Sequence, residues 1–332
     1  MFLLRRSRTV VFQQHYSSVR AGSSKVVVTA ALNGVFTDPK KFQIPVTPKE
    51  MADEAEAAYN EGASVVHIHF RDQRTGKGHL PSWEPEIAKT VVDAIRARVP
   101  QLLINFTTGT IGHSGPLGGG KLGPCDGPIS CLEAGQPDIA ALNSGSLNYL
   151  RTRKDGTWAW PPITFDNSVP KIQTMLNAMN ERGIVPECEC FDSGIVRSIR
   201  MFMANGLLRP PFSVSLVMGV ASGMPCDPEW LPLLIKELPE ATPWQVIAIG
   251  RTEVWPLLRR AAELGGNVRS GLEDTFYLPD GSRAQSSGQL IHALVDTVRD
   301  VGREPMTTEE ARSYLLSAEQ SCLQSGSETR TD

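Results

Sequence analysis

His67-Ile68-His69 closes an apolar run, Ala63-Ser64-Val65-Val66, that reads as a buried strand. Side chains two apart on a strand share a face, so His67 and His69 point the same way and can grip one metal ion. Far along the chain, Gly271-Leu272-Glu273-Asp274 offers two adjacent carboxylates. Glu273 completes a three-ligand set with an open position, as in catalytic zinc sites and open non-haem iron sites. Two histidines hydrogen-bonded at the edge of a core are the competing reading, and an isolated His-x-His does not separate the two. The Glu-Asp pair, and the place of both motifs in the fold, favour the metal.

The elements that must position these groups alternate from residue 25 onward. Strands are expected at Val26–Leu32, Ser64–Phe70, Leu102–Thr107, Asp138–Asn143, Ile184–Cys190, Phe212–Met218, Trp244–Ile249 and Val268–Leu272. Helices are expected between them, at Pro48–Asn60, Glu84–Val99, Val169–Arg182, Gly194–Asn205, Trp230–Glu237, Glu253–Leu264 and Ser287–Val301, with a shorter one near Ile129–Ala134. Thr47-Pro48-Lys49-Glu50 carries a cap residue, a first-turn proline and an acid behind it, which is a helix start. Eight strands with seven or eight helices over ~250 residues is the count of a (β/α)8 TIM barrel. A doubly wound open sheet is the alternative, but no G-x-G-x-x-G follows the first strand and no G-x-x-x-x-G-K-[ST] appears. Gly118-Gly119-Gly120-Lys121 lies inside the long insertion from Gly109 to Pro128, without a helix start at the right distance, and reads as a flexible loop.

In a barrel of this kind chemistry gathers at the C-terminal strand ends. Those ends are polar here: Asn33 after the first strand, His67 and His69 on the second, Thr107-Thr108-Gly109 after the third and Asn143-Ser144-Gly145 after the fourth. Glu187 and Glu189 lie on the fifth, and Glu273-Asp274 follow the eighth. No one of these residues is strong evidence, but together they describe a site.

Composition bounds the rest. The 332 residues are 41% hydrophobic and 21% charged, ordinary for a soluble globular protein. A formal net charge of -3, with no long basic run after residue 25, argues against nucleic acid as a partner. No apolar run approaches the ~20 residues needed to span a bilayer, so no membrane partner is expected. The six cysteines, at 125, 131, 188, 190, 226 and 322, lack C-x-x-C spacing, so neither a structural zinc site nor a disulfide framework is expected. Cys188 and Cys190 read as small core hydrophobes on a strand. Residues 1–24 carry Arg5, Arg6, Arg8 and Arg20, and no acid occurs before Asp38. That is the composition of a mitochondrial transit peptide, which would place the protein in the matrix; a disordered extension on a cytoplasmic protein is the other reading. The domain division is therefore an extension over 1–24, one barrel over 25–318 and a polar tail over 319–332.

The motifs resemble those of the β-keto acid cleavage enzymes, zinc-dependent (β/α)8 barrels whose founding activity cleaves 3-keto-5-aminohexanoate. His-x-His, Thr107-Thr108-Gly109, Ala-Leu-Asn-Ser-Gly-Ser-Leu-Asn at strand four and Pro-Glu-x-Glu-x-Phe-Asp-Ser-Gly at strand five match in order. So do Gly250-Arg251 and the run from Gly265 to Asp274, and the resemblance covers about residues 25–315. It implies a reaction of a β-keto acid with acetyl-CoA that yields acetoacetate and a shortened acyl-CoA. It implies Zn2+ on His67, His69 and Glu273, holding the substrate's keto and carboxylate oxygens, where a divalent cation stabilises an enolate. Asp274 is implied as general base, kept ionised and oriented by Arg269, with Thr107 and Glu187 in the supporting catalytic network. Asn33, Thr107, Thr110 and Ser144 are the expected substrate contacts, and a homo-oligomer, a tetramer by resemblance, is implied.

Two positions depart from the family pattern. Thr107 stands where serine is common, which keeps the hydroxyl. The loop Asn33-Gly34-Val35-Phe36 lacks the carboxylate that binds the substrate ammonium in members acting on the amino-substituted acid, so an uncharged or apolar acyl tail is expected. Two other classes stay open: another metal-dependent carbon–carbon lyase, aldolase or non-haem iron enzyme on the same barrel, and a catalytically silent barrel, against which the intact Arg269 and Asp274 argue.

Overall fold

Every expected barrel strand forms in the computed structural model, which describes residues 24–35, 37–110 and 125–317. They are β1 (Val28–Ala31), β2 (Val65–Ile68), β3 (Leu103–Phe106), β4 (Ile139–Asn143), β5 (Val185–Cys190), β6 (Ser213–Met218), β7 (Trp244–Ala248) and β8 (Asn267–Ser270). Parallel pairing joins each to the next, and β8 to β1, in a closed barrel. Eight helices follow the strands in turn: α1 (Pro48–Asn60), α2 (Pro85–Arg98), α3 (Asp126–Gly135), α4 (Val169–Glu181), α5 (Ser193–Asn205), α6 (Leu231–Glu237), α7 (Val254–Glu263) and α8 (Ser287–Asp300). This is the (β/α)8 TIM barrel that the alternation predicts. The start of α1 is a full capping box: Thr47 accepts from the Glu50 amide, and Glu50 accepts from the Thr47 amide at 2.8 Å.

Alternation along the strands divides two environments. Val66 and Ile68, Ile104 and Phe106, Cys188 and Cys190, and Leu216 and Met218 point outward into the core beneath the helices. Both β5 cysteines are fully buried there, and burial pushes the Cys188 thiol up to about 12, so they are inert packing groups as expected. Inside the barrel the lowest layer is apolar: Val27, Val65, Leu103, Ile139 and Val185.

A helix that the strand count does not require closes this lower end. In α9 (Thr308–Leu316), Ala311 and Leu315 pack with Met306 on that inner layer. Its capping box, Thr307 with Glu310, was readable in the sequence but belongs to no β/α repeat. Two small pairings also went unread: Lys25–Val26 beside Glu304–Pro305, and the hairpin of Leu147–Tyr149 with Ile163–Phe165. Among the described residues no helix is long and apolar enough to cross a membrane. The proposed transit peptide, save Ser24, the polar tail, Phe36 and the glycine-rich stretch 118–121 lie outside the described residues.

Candidate metal centre and active site

The upper half of the barrel interior is polar because the inward positions of the same strands change character two residues above the apolar layer. His67 follows Val65, Asn105 follows Leu103 and Glu187 follows Val185. At the next level stand His69, Thr107 and Glu189.

Strand β8 is followed by Gly271, whose φ of +148° and close approach to β1 both require glycine; a Cβ there would lie 2.1 Å from the Ala31 carbonyl oxygen. A turn follows, with the amides of Asp274 and Thr275 donating to the Gly271 carbonyl at 3.0 Å. This turn breaks the strand alternation, so Glu273 and Asp274, although adjacent, both reach Arg269. Arg269 Nε and Nη2 donate to the two Asp274 oxygens at 2.9 Å each, and Nη2 also meets Glu273 Oε1 at 2.9 Å. Gly34 (φ +56°) lets the loop after β1 lie on Glu273, since a Cβ there would come within 2.7 Å of its Cγ.

His67 Nε2 lies 3.6 Å from Glu273 Oε2, and His69 Nε2 lies 3.2 Å from Glu273 Oε1. One ligand atom from each of the three residues falls within 4.8 Å of the other two. A tetrahedral ion with bonds of about 2.1 Å holds its ligand atoms about 3.4 Å apart, and the two imidazole-to-carboxylate distances are close to that spacing. Glu273 Oε2 is buried and has no hydrogen-bond partner among the described residues. A carboxylate oxygen left in that state beside two imidazoles has the chemistry to take a cation. Burial, reinforced by Arg269, holds His67 well below the usual histidine range, which is the neutral form a metal needs. Burial raises Glu273, but Arg269, His69 and His67 more than offset it, and its carboxyl titrates well below the usual range.

Asp274 differs from expectation. Arg269 alone would lower it, but burial dominates and, with Glu273 adding to it, brings the carboxyl up to about 6.

The structure brings His67, His69, Glu273, Arg269 and Asp274 together. Other expected site residues stand elsewhere. The Asn33 amide is engaged by the protein itself: Nδ2 donates to the carbonyls of His69 and Pro45 at 3.0 Å, and Oδ1 accepts from the His69 amide at 3.0 Å. Asn33 thus holds His69 in place, and its side chain is not free to bind substrate. Ser144 Oγ donates to Leu142 O at 3.0 Å, Thr110 Oγ1 accepts from Lys171 Nζ at 3.2 Å and Thr107 Oγ1 accepts from the Gly109 amide at 3.3 Å. Glu187 sits a layer below the rim, with both oxygens engaged by Asn105, Ser215 and Gln245.

Two rim residues hold places that the sequence reading did not assign: Glu189, counted there only as a polar strand end, and Arg71. Glu189 lies 3.9 Å from Arg269 Nη1, and burial, helped by Glu187, raises its carboxyl to about 8. The signal for it was period two from Glu187. Arg71, two past His69, is buried and donates to the carbonyls of Asn33, Gly34, Thr37 and Gly78, clamping the loop after β1.

The chain is similar to known proteins over most of its length. A family model described as beta-keto acid cleavage enzyme matches residues 25–316. A 3-keto-5-aminohexanoate cleavage enzyme of Fusobacterium nucleatum is 30% identical over 294 residues, 88% of this chain and 97% of that protein. A 3-oxoadipate:acetyl-CoA acetyltransferase of Cupriavidus necator is 28% identical over 87% of this chain and 94% of its own length. Among solved structures, apo ObcA superposes with a TM-score of 0.63 at 18% identity, over 82% of this chain and 65% of that one, a likeness of fold.

Proposed function

This chain belongs to the β-keto acid cleavage enzyme family, and on that premise we propose that it transfers an acyl group from a β-keto acid to coenzyme A, with acetyl-CoA as co-substrate. A β-keto acid R–CO–CH2–COO⁻ and acetyl-CoA give acetoacetate and R–CO–CoA, so atoms and charge balance without an oxidant. The observation that carries this reading is the three-ligand cluster of His67, His69 and Glu273 joined through Arg269 to a buried carboxylate, Asp274. The relatives named as acetyl-CoA-dependent transferases support the co-substrate.

A divalent ion, zinc by this donor set, supplies Lewis acidity when bound. The chain's own residues do the rest. Asp274 is the general base; its carboxyl, raised by burial, is matched to a proton taken near neutral pH. Arg269 fixes that carboxylate by a two-pronged contact and neutralises the charge it shares with Glu273. Val35, in the loop resting on Glu273, offers no charge to an ammonium group, which supports an uncharged acyl tail. Assembly into a homo-oligomer and import into mitochondria through residues 1–24 belong to the same proposal.

Purified protein incubated with acetyl-CoA and a series of β-keto acids should release acetoacetate, fastest with uncharged tails. An iron requirement with oxygen consumption, and no acetoacetate from any acid, would move the protein to the non-haem iron class.

A further inference from the structure

Glu187 is a buried carboxylate that the rim chemistry does not use, and its partners form a ring across the barrel. Ser215 Oγ at 2.6 Å and Gln245 Nε2 at 3.0 Å donate to Oε1, and Asn105 Nδ2 donates to Oε2. The Gln245 amide is itself oriented, since its Oε1 accepts from Thr29 Oγ1 at 3.2 Å and its Nε2 also donates to Ser215 Oγ at 3.0 Å. Everything around the carboxylate is a donor. Asn105 must therefore present its amide nitrogen to Glu187 and turn its oxygen away.

His67 stands in register with Asn105 on the adjacent strand. Asn105 Oδ1 and His67 Nδ1 are both buried, and neither has a hydrogen-bond partner among the described residues. The two unsatisfied groups thus belong to neighbouring side chains on the same inner face of the barrel, one able to donate and the other to accept. A neutral imidazole carries one proton, on either nitrogen, and only the nitrogen without it can bind a metal.

We propose that Glu187, acting through Asn105, sets the tautomer of His67: the carboxylate orients the amide, the amide oxygen accepts the Nδ1 proton, and the Nε2 lone pair is left facing Glu273. Glu187 is then a positioning residue, not a catalytic one. The proposal shares with the proposed function the view that His67 Nε2 is a metal ligand. It adds a reason for a carboxylate where the barrel interior would otherwise continue its apolar layer. Partners that orient a ligating histidine change metal affinity by about 10–100-fold when removed.

The test begins with the unaltered, metal-free protein. Long-range 1H–15N spectra should show the His67 proton on Nδ1; a proton on Nε2 overturns the proposal. Glu187→Gln keeps the shape but adds a donor, so Asn105 is no longer compelled to present its nitrogen to residue 187. The His67 proton should shift toward Nε2, and zinc affinity, measured by chelator competition, should fall about 10–100-fold. The exchanged pair Asn105→Asp with Glu187→Gln puts the acceptor back next to His67 and a donor behind it. It should regain zinc affinity to within a few-fold of the unaltered protein. Unchanged affinity and spectrum in Glu187→Gln, or a double variant as weak as the single one, overturns the proposal. Should Glu187→Gln not fold by circular dichroism, the wild-type spectrum and the double variant still decide. None of these readings uses turnover, so a protein that fails to make acetoacetate but shows them would break the functional reading alone.

Discussion

The two ends of the barrel interior are built from the same strands by opposite means. At the lower end Val27, Val65, Leu103, Ile139 and Val185 meet Met306, Ala311 and Leu315 of the C-terminal segment, and apolar burial holds them. Two residues higher, on the same side of three of those strands, the interior holds His67, Asn105 and Glu187, and Arg269 joins them from β8. The apolar end tolerates exchange of one hydrophobe for another of similar volume. The polar end does not, because each buried group left without its partner carries a desolvation penalty. Stability should therefore depend chiefly on the lower end and chemistry on the upper.

Substitutions at the two ends should separate these quantities. His67→Ala should abolish turnover while circular dichroism stays that of a folded barrel; loss of the fold would mean that the rim is structural. Asp274→Asn should lower turnover by roughly a hundredfold or more, the usual worth of a positioned base. Arg269→Ala should lose at least as much and also loosen the metal, since one guanidinium holds both Glu273 and Asp274. The double variant should lose less than the product of the two, and full additivity would show that they do not act together.

The lower end should answer in the other currency. Leu315→Ala removes part of the plug on the inner layer and should destabilise the protein by about 2–4 kcal/mol in denaturant titration. Its turnover per folded molecule should stay the same; a fall of tenfold or more would mean that the plug shapes the site. Smallest of all, deletion of residues 2–24 should leave rate and metal content unchanged, and the same segment fused to a reporter should carry it to mitochondria. A reporter that stays in the cytosol would leave the segment as a mere extension.

The barrel was legible because outward apolar positions in β2 to β6 recur at period two between amphipathic helices, and the histidine pair was legible for the same reason. Depth was not. Glu187 and Glu189 share a strand face, and nothing in Pro-Glu-Cys-Glu-Cys says that the first lies in a closed hydrogen-bonded ring while the second reaches Arg269. That difference is made by Ser215, Gln245 and Asn105, which come from three other strands. Asn33 likewise looked available at a strand end, but its amide matches the backbone of His69 across the β1–β2 boundary. The sign of the Asp274 shift also depends on burial, which adjacency to an arginine in sequence does not report.

The central claim is that His67, His69 and Glu273 hold one divalent ion. Metal analysis of the purified protein, alongside Glu273→Gln of matched circular dichroism, tests it most directly. One zinc per chain in the unaltered protein and little or none in the variant is the predicted result. A folded Glu273→Gln protein that keeps its zinc and its activity would contradict it.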